Sequence, residues 1–140
     1  MEELKIDKKL YNNIAKEANK SNVEICGLGF DTDGDGIVDE IKFSMNISMI
    51  PGAEYQFSPE DFYEFISYHR GTKTDKKLIM VFHSHPLWKA FPSGKDIEKA
   101  YPNYIYLIYS NVENLARAFK VDKASMKGKK IMYEIPMEVC

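Results

Sequence analysis

The sequence predicts an α/β sandwich, a mixed central β-sheet flanked by helices, and three observations carry that reading. The run Leu78 to Phe82 is apolar without alternation, as in a strand buried on both faces. Two segments, after Asp7 and after Ser58, place apolar residues three and four apart behind side chains that cap helices. Strand-like and helix-like segments then alternate along 140 residues, of which 44% are hydrophobic and 29% charged, so residues 1–140 read as one domain with no linker or repeat.

In chain order, Asp7 caps a helix reaching roughly Lys20, with Leu10, Ile14 and Ala18 on its buried stripe. Val23 to Phe30 is a strand whose glycines admit something close, and Glu24 is out of place among Val23, Ile25 and Cys26. A turn-forming tract from Asp31 to Asp39 leads into a second strand through Ile41, Phe43 and Met45, so residues 23–48 form a long hairpin broken by Pro51 and Gly52. Ser58, Pro59 and Asp61 open a helix that ends at Gly71 and buries Phe62, Phe65, Ile66 and His69. Lys77 to His85 is the central strand, and helices are expected on both sides of its sheet. A short helix from Ser93 to Ala100 precedes a strand from Tyr104 to Tyr109. Two more strands, near Leu115 to Val121 and Lys130 to Ile135, are joined by a KASMKGKK turn.

Charge and cysteine usage narrow the function. A net charge of −2 argues against a general nucleic-acid or anionic-membrane binder, and the cluster Lys123, Lys127, Lys129 and Lys130 reads as a solvated hairpin. The longest apolar run falls far short of the roughly 18 residues of a membrane span, and Met1 to Asn13 lacks a signal-peptide core. Cys26 and Cys140 make neither a disulfide framework nor a metal knuckle, and Cys26 is read as a small buried hydrophobe. A cytoplasmic protein, monomeric or homodimeric, is expected.

The chemistry concentrates between Val81 and Ala100. Residues i and i+2 of a strand share a face about 6.5–7 Å apart, so His83 and His85 can aim ring nitrogens at one metal ion. Pro86 ends the strand, the loop to Pro92 turns back, and Asp96 arrives on the first turn of a helix whose dipole favours its anionic form. Two imidazoles and a carboxylate suit a catalytic zinc with a fourth position open. A base must come from elsewhere. Glu24 is the candidate, because a carboxylate in an apolar strand is costly unless something uses it. Ser93 and Asp96 also read as a capping box, a role compatible with the first.

The ordered set Glu24, then His83-Ser84-His85-Pro86, then Ser93 and Asp96 resembles the JAMM, or MPN+, metallopeptidase family, over roughly residues 8 to 121. The resemblance implies a cytidine-deaminase-like sandwich, one Zn2+ per chain on His83, His85 and Asp96, Glu24 as general base, and Ser93 steadying the tetrahedral intermediate. It also implies hydrolysis of a peptide or isopeptide bond, with a ubiquitin-like or sulfur-carrier-like tail as substrate. A non-catalytic zinc-stabilised interaction module and a phage tail-assembly or peptidoglycan-directed peptidase are the alternatives. Stretches where larger relatives carry insertions, near Met49 to Phe57 and after Ser110, are short here. Trp88 and Phe91, in the loop Leu87 to Phe91, either line a substrate groove or pack as a lid. Asp31, Asp33, Asp35, Gly36 and Asp39 resemble the start of a Ca2+ loop, although Lys42 stands where such a loop needs Glu and an Asp/Gly hairpin tip needs no metal to explain the pattern.

Overall fold

The computed structural model describes residues 2–140. Strand β1 (Leu4–Ile6) leads into helix α1 (Lys8–Asn19), capped by the Asp7 carboxylate, which accepts the Leu10 amide at 3.1 Å. Strands β2 (Cys26–Asp31), β3 (Ile37–Val38) and β4 (Glu40–Ser44) follow, then helix α2 (Pro59–His69), capped by Ser58. Strand β5 (Lys77–His85), helix α3 (Gly94–Lys99), and strands β6 (Ile105–Ser110) and β7 (Leu115–Val121) form the centre. A 3-10 helix (Lys123–Lys127) and strands β8 (Met132–Ile135) and β9 (Met137–Val139) complete the chain.

The main sheet has six strands in the order β4-β2-β5-β6-β7-β8, with β5 and β6 parallel and every other pair antiparallel. The two faces of β5 divide the core. Met80 and Phe82 pack with Leu10, Ile14 and Ala18 of α1 and with Leu107 and Ala118. Val81 packs on the opposite face with Phe65 and Tyr68 of α2, alongside Leu28, Phe30 and Tyr106. This two-sided burial is why the strand reads as an unbroken apolar run.

Several expectations need correction, the first being that α2 buries Phe65 and Tyr68 but leaves Phe62 exposed. Strands β3, β1 and β9 form a second sheet, all parallel, whose Leu4, Ile6 and Val38 share the covering of the α1 face. Strands of two or three residues are too short for periodicity to reveal. The strand expected from Val23 begins at Cys26, because the Glu24 amide leaves the ladder and donates to the Pro51 carbonyl at 2.7 Å. The KASMKGKK turn is a 3-10 helix, and Lys130 is not simply solvated: its ammonium donates to the carbonyls of Glu98 and Ala100 and so caps α3.

At Gly27 two strands approach backbone to backbone, and a Cβ there would lie 2.7 Å from the Lys42 carbonyl oxygen and 3.2 Å from the Phe43 Cα. Those are backbone atoms of the paired strand and cannot turn aside. Gly27→Ala is therefore expected to destabilise the fold by about 1–3 kcal/mol, read as a lowered urea midpoint at unchanged slope.

Candidate metal centre

Register builds the site. Cys26 of β2 lies opposite His83 of β5, so continuing the antiparallel pairing by two residues brings Glu24 alongside His85, on the face the imidazoles share. Ser84, between the histidines, points to the other face and fastens the approach: its hydroxyl accepts the Ile25 amide at 3.0 Å, and its amide donates to the Ile25 carbonyl at 2.9 Å. Asp96 arrives through the crossover from β5 to β6. The Ser93 hydroxyl accepts the Asp96 amide at 3.1 Å, and the Ser93 amide donates to Asp96 Oδ2 at 2.9 Å, a complete capping box.

His83, His85, Asp96 and Glu24 are 1%, 4%, 8% and 4% exposed, too buried for ordinary solvation to account for them. His83 Nε2 and His85 Nε2 stand 3.2 Å apart, with Asp96 Oδ2 3.0 Å from the first and 3.1 Å from the second. Zinc bonds of roughly 2.0–2.1 Å at tetrahedral angles would space ligand atoms about 3.3–3.4 Å apart, so this triangle has the size of one face of such a site.

Tautomers sharpen the point. His85 Nδ1 lies 2.8 Å from the Lys89 carbonyl, an acceptor only, so Nδ1 carries the hydrogen and a neutral His85 turns a bare lone pair toward Asp96. That lone pair and the Asp96 carboxylate can be bridged either by a hydrogen on His83 Nε2 or by a metal ion. The Asp96 carboxylate and the Lys89 carbonyl raise the pKa of His85 against the effect of burial, whereas burial lowers that of His83. Burial would also raise Asp96, yet the two imidazoles and the Ser93 amide hold it well below the usual carboxylate range.

Glu24 stands slightly apart, with an oxygen within 4.8 Å of both imidazoles. Its Oε1 is buried and has no hydrogen-bond partner among the described residues. Burial pushes this carboxyl up to about 7, and a cation beside it would pull it back down. A buried, unpartnered carboxylate oxygen beside two imidazole nitrogens and a carboxylate oxygen that converge is an arrangement that a divalent cation and a base could use.

Two residues that the sequence did not single out complete the site. Tyr55 stacks on His83 at 4.4 Å between ring centroids and 21° between planes. Asn46 donates to the carbonyls of Glu24 at 2.8 Å and Glu54 at 2.9 Å, and accepts the amides of Ser48 and Gln56 at 3.0 Å each. It thereby joins the Glu24 segment to the turn that carries Tyr55. No local pattern announces such a role, since one polar residue after an exposed strand is ordinary.

The two aromatics of the Leu87 to Phe91 loop part company. Phe91 packs on Phe119 at 5.9 Å beneath the Arg117 guanidinium while keeping part of its ring exposed, and Trp88 is half exposed with its ring 5.5 Å from that of His85. In the hairpin tip, Asp31 accepts the amides of Asp33, Gly34 and Gly36, and Asp39 accepts the Thr32 amide and hydroxyl. With Gly34 and Gly36 at positive φ, turn chemistry accounts for that Asp/Gly pattern. His69 packs on Phe65 and its Nδ1 lies 2.7 Å from the Tyr104 hydroxyl, in an aromatic cluster with Tyr101.

A Desampylase from Pyrococcus furiosus is 28% identical over 123 residues, covering 86% of this chain and 84% of the relative. Among solved structures, protein DSY2949 from Desulfitobacterium hafniense aligns with a TM-score of 0.72 at 24% identity, covering 98% of this chain and 92% of that one. AF2198, a JAB1/MPN domain protein from Archaeoglobus fulgidus, aligns with a TM-score of 0.58 at 18% identity over 96% and 98% of the two chains. The profile of the prokaryotic homologs of the JAB domain matches residues 7–122, which take in β2, β5, α3 and every residue of the candidate metal centre, and the chain belongs to that family.

Proposed function

We propose that this protein is a zinc-dependent isopeptidase that hydrolyses the bond between the C-terminal tail of a ubiquitin-like protein and an amine. The observation that carries the reading is the buried, unpartnered Glu24 oxygen beside the converging His83, His85 and Asp96 atoms. The Desampylase relative supports the substrate class.

Zinc held by His83, His85 and Asp96 would supply a Lewis acid and lower the pKa of water to about 7. Glu24 takes the proton of the attacking water and passes it to the leaving amine as the amide C–N bond breaks, leaving a carboxylate on the tail. The Ser93 oxygen accepts the Asp96 amide, so its own hydrogen remains free to donate to the oxyanion. Tyr55 and the Lys89 carbonyl hold the two imidazoles in place. Trp88, half exposed with its ring 5.5 Å from that of His85, would meet the tail in this reading.

The test is cleavage of a ubiquitin-like protein joined to a lysine amine, beside peptidoglycan-type and generic peptides, before and after chelation. The expected result is selective cleavage of the ubiquitin-like conjugate by protein carrying one zinc per chain, abolished by chelation without unfolding and restored by added zinc. Unfolding on chelation, with no cleavage by the loaded protein, would instead assign the metal a structural role in a binding module.

A further inference from the structure

The turn between β6 and β7 is bonded to the loop that follows His85. Asn114, at φ 55°, closes it, its amide donating to the Ser110 carbonyl at 2.8 Å. Ser110 is fully buried, its hydroxyl accepting the Glu113 amide at 3.0 Å and donating to the Trp88 carbonyl at 2.7 Å. Glu113 Oε1 accepts the Ala90 amide at 2.8 Å, and the Arg117 guanidinium, also 2.8 Å from that oxygen, steadies it. Trp88 and Ala90 are thus each tied to the turn by a backbone group. The residue between them, Lys89, turns its carbonyl the other way, to His85 Nδ1 at 2.8 Å.

From this arrangement we infer that Ser110 and Glu113 are positioning residues of the metal centre, holding the Lys89 carbonyl where it fixes the ring of His85 and leaves Nε2 bare for the metal. The inference rests on the reading of His85 as a ligand. The two imidazoles differ in this respect: His83 Nδ1 has no partner among the described residues, and Tyr55 orients that ring by stacking. Only His85 depends on the turn. A ligand imidazole whose second nitrogen donates to a fixed acceptor is held in one tautomer and made more basic, and disturbing such a partner typically weakens metal binding by roughly 10–100-fold.

The experiment measures zinc affinity by chelator competition, the thermal midpoint of the metal-free chain, and the ring-nitrogen NMR signals of the zinc-loaded chain. Ser110→Ala and Glu113→Ala leave the Lys89 carbonyl in the chain but free it to move, so each is expected to weaken zinc binding measurably, by less than the roughly 10–100-fold typical of losing the direct partner, and to shift or broaden the His85 Nδ1–H signal while leaving that of His83 in place. Glu113→Gln keeps an oxygen that accepts the Ala90 amide, so it is expected to recover most of the affinity although the charge pairing with Arg117 is gone. Glu113 is partly exposed, so its variants remain folded even if Ser110→Ala does not. Unchanged affinity and an unmoved His85 signal in Glu113→Ala, with only a lowered thermal midpoint, would reduce the network to fold stability and overturn the inference. A parent chain that binds no zinc would sink the ligand assignment itself, a distinguishable result.

Discussion

Glu24→Gln is expected to lower the turnover of a ubiquitin-like conjugate by about 10²–10⁴-fold, the usual contribution of a positioned general base, while the chain keeps its zinc. The reason is geometric. Glu24 lies beside the triangle of His83, His85 and Asp96 atoms, and its Oε1 has no partner among the described residues to lose. Glutamine has the same shape, retains the backbone bonds to Asn46 and Pro51, and leaves no charge buried, so folding should be unimpaired. Steady-state cleavage together with metal content per chain decides the matter. Full activity in zinc-loaded Glu24→Gln would remove this residue from the mechanism, and loss of the zinc would make it a ligand.

Asp96→Asn is expected to have the opposite signature, losing the metal and all cleavage with it. The amide oxygen of asparagine can still accept the Ser93 amide, so the start of α3 should survive. What disappears is the one negative charge within 3.0–3.1 Å of both imidazoles. A direct ligand should matter more than an outer partner, so affinity is expected to fall by more than the roughly 10–100-fold typical of the latter. Chelator competition on the folded variant measures it. Zinc bound as tightly as by the parent would leave His83, His85 and Glu24 as the ligand set. The two variants together therefore discriminate the two sets of three that the side-chain positions allow.

Much of this architecture is legible in the chain because its signals are local. The caps at Asp7 and Ser58 and the stripe Leu10, Ile14, Ala18 act within a few residues, and both helices form where that chemistry places them. The small sheet of β1, β3 and β9 left no such trace, since two or three residues cannot display a period. Lys130 illustrates the same limit: its composition suggests a solvated turn, but its acceptors, the Glu98 and Ala100 carbonyls, come from a helix some thirty positions earlier in the chain.

The sequence by itself determined the fold class and the ingredients of the candidate centre, His83, His85, Asp96, Ser93 and Glu24. Strand alternation and the capping box dictate where the first four must point once their elements form. Only the tertiary structure decided that Glu24 meets them, through the pairing of Cys26 with His83, the Ser84 bonds to Ile25 and the Asn46 clamp. It also decided that the β6–β7 turn reaches His85 through the Lys89 carbonyl. The physical reason is range: spacing along a strand or helix fixes neighbours within a few residues, whereas strand register and backbone-to-side-chain bonds between distant segments are set by the burial of the whole core.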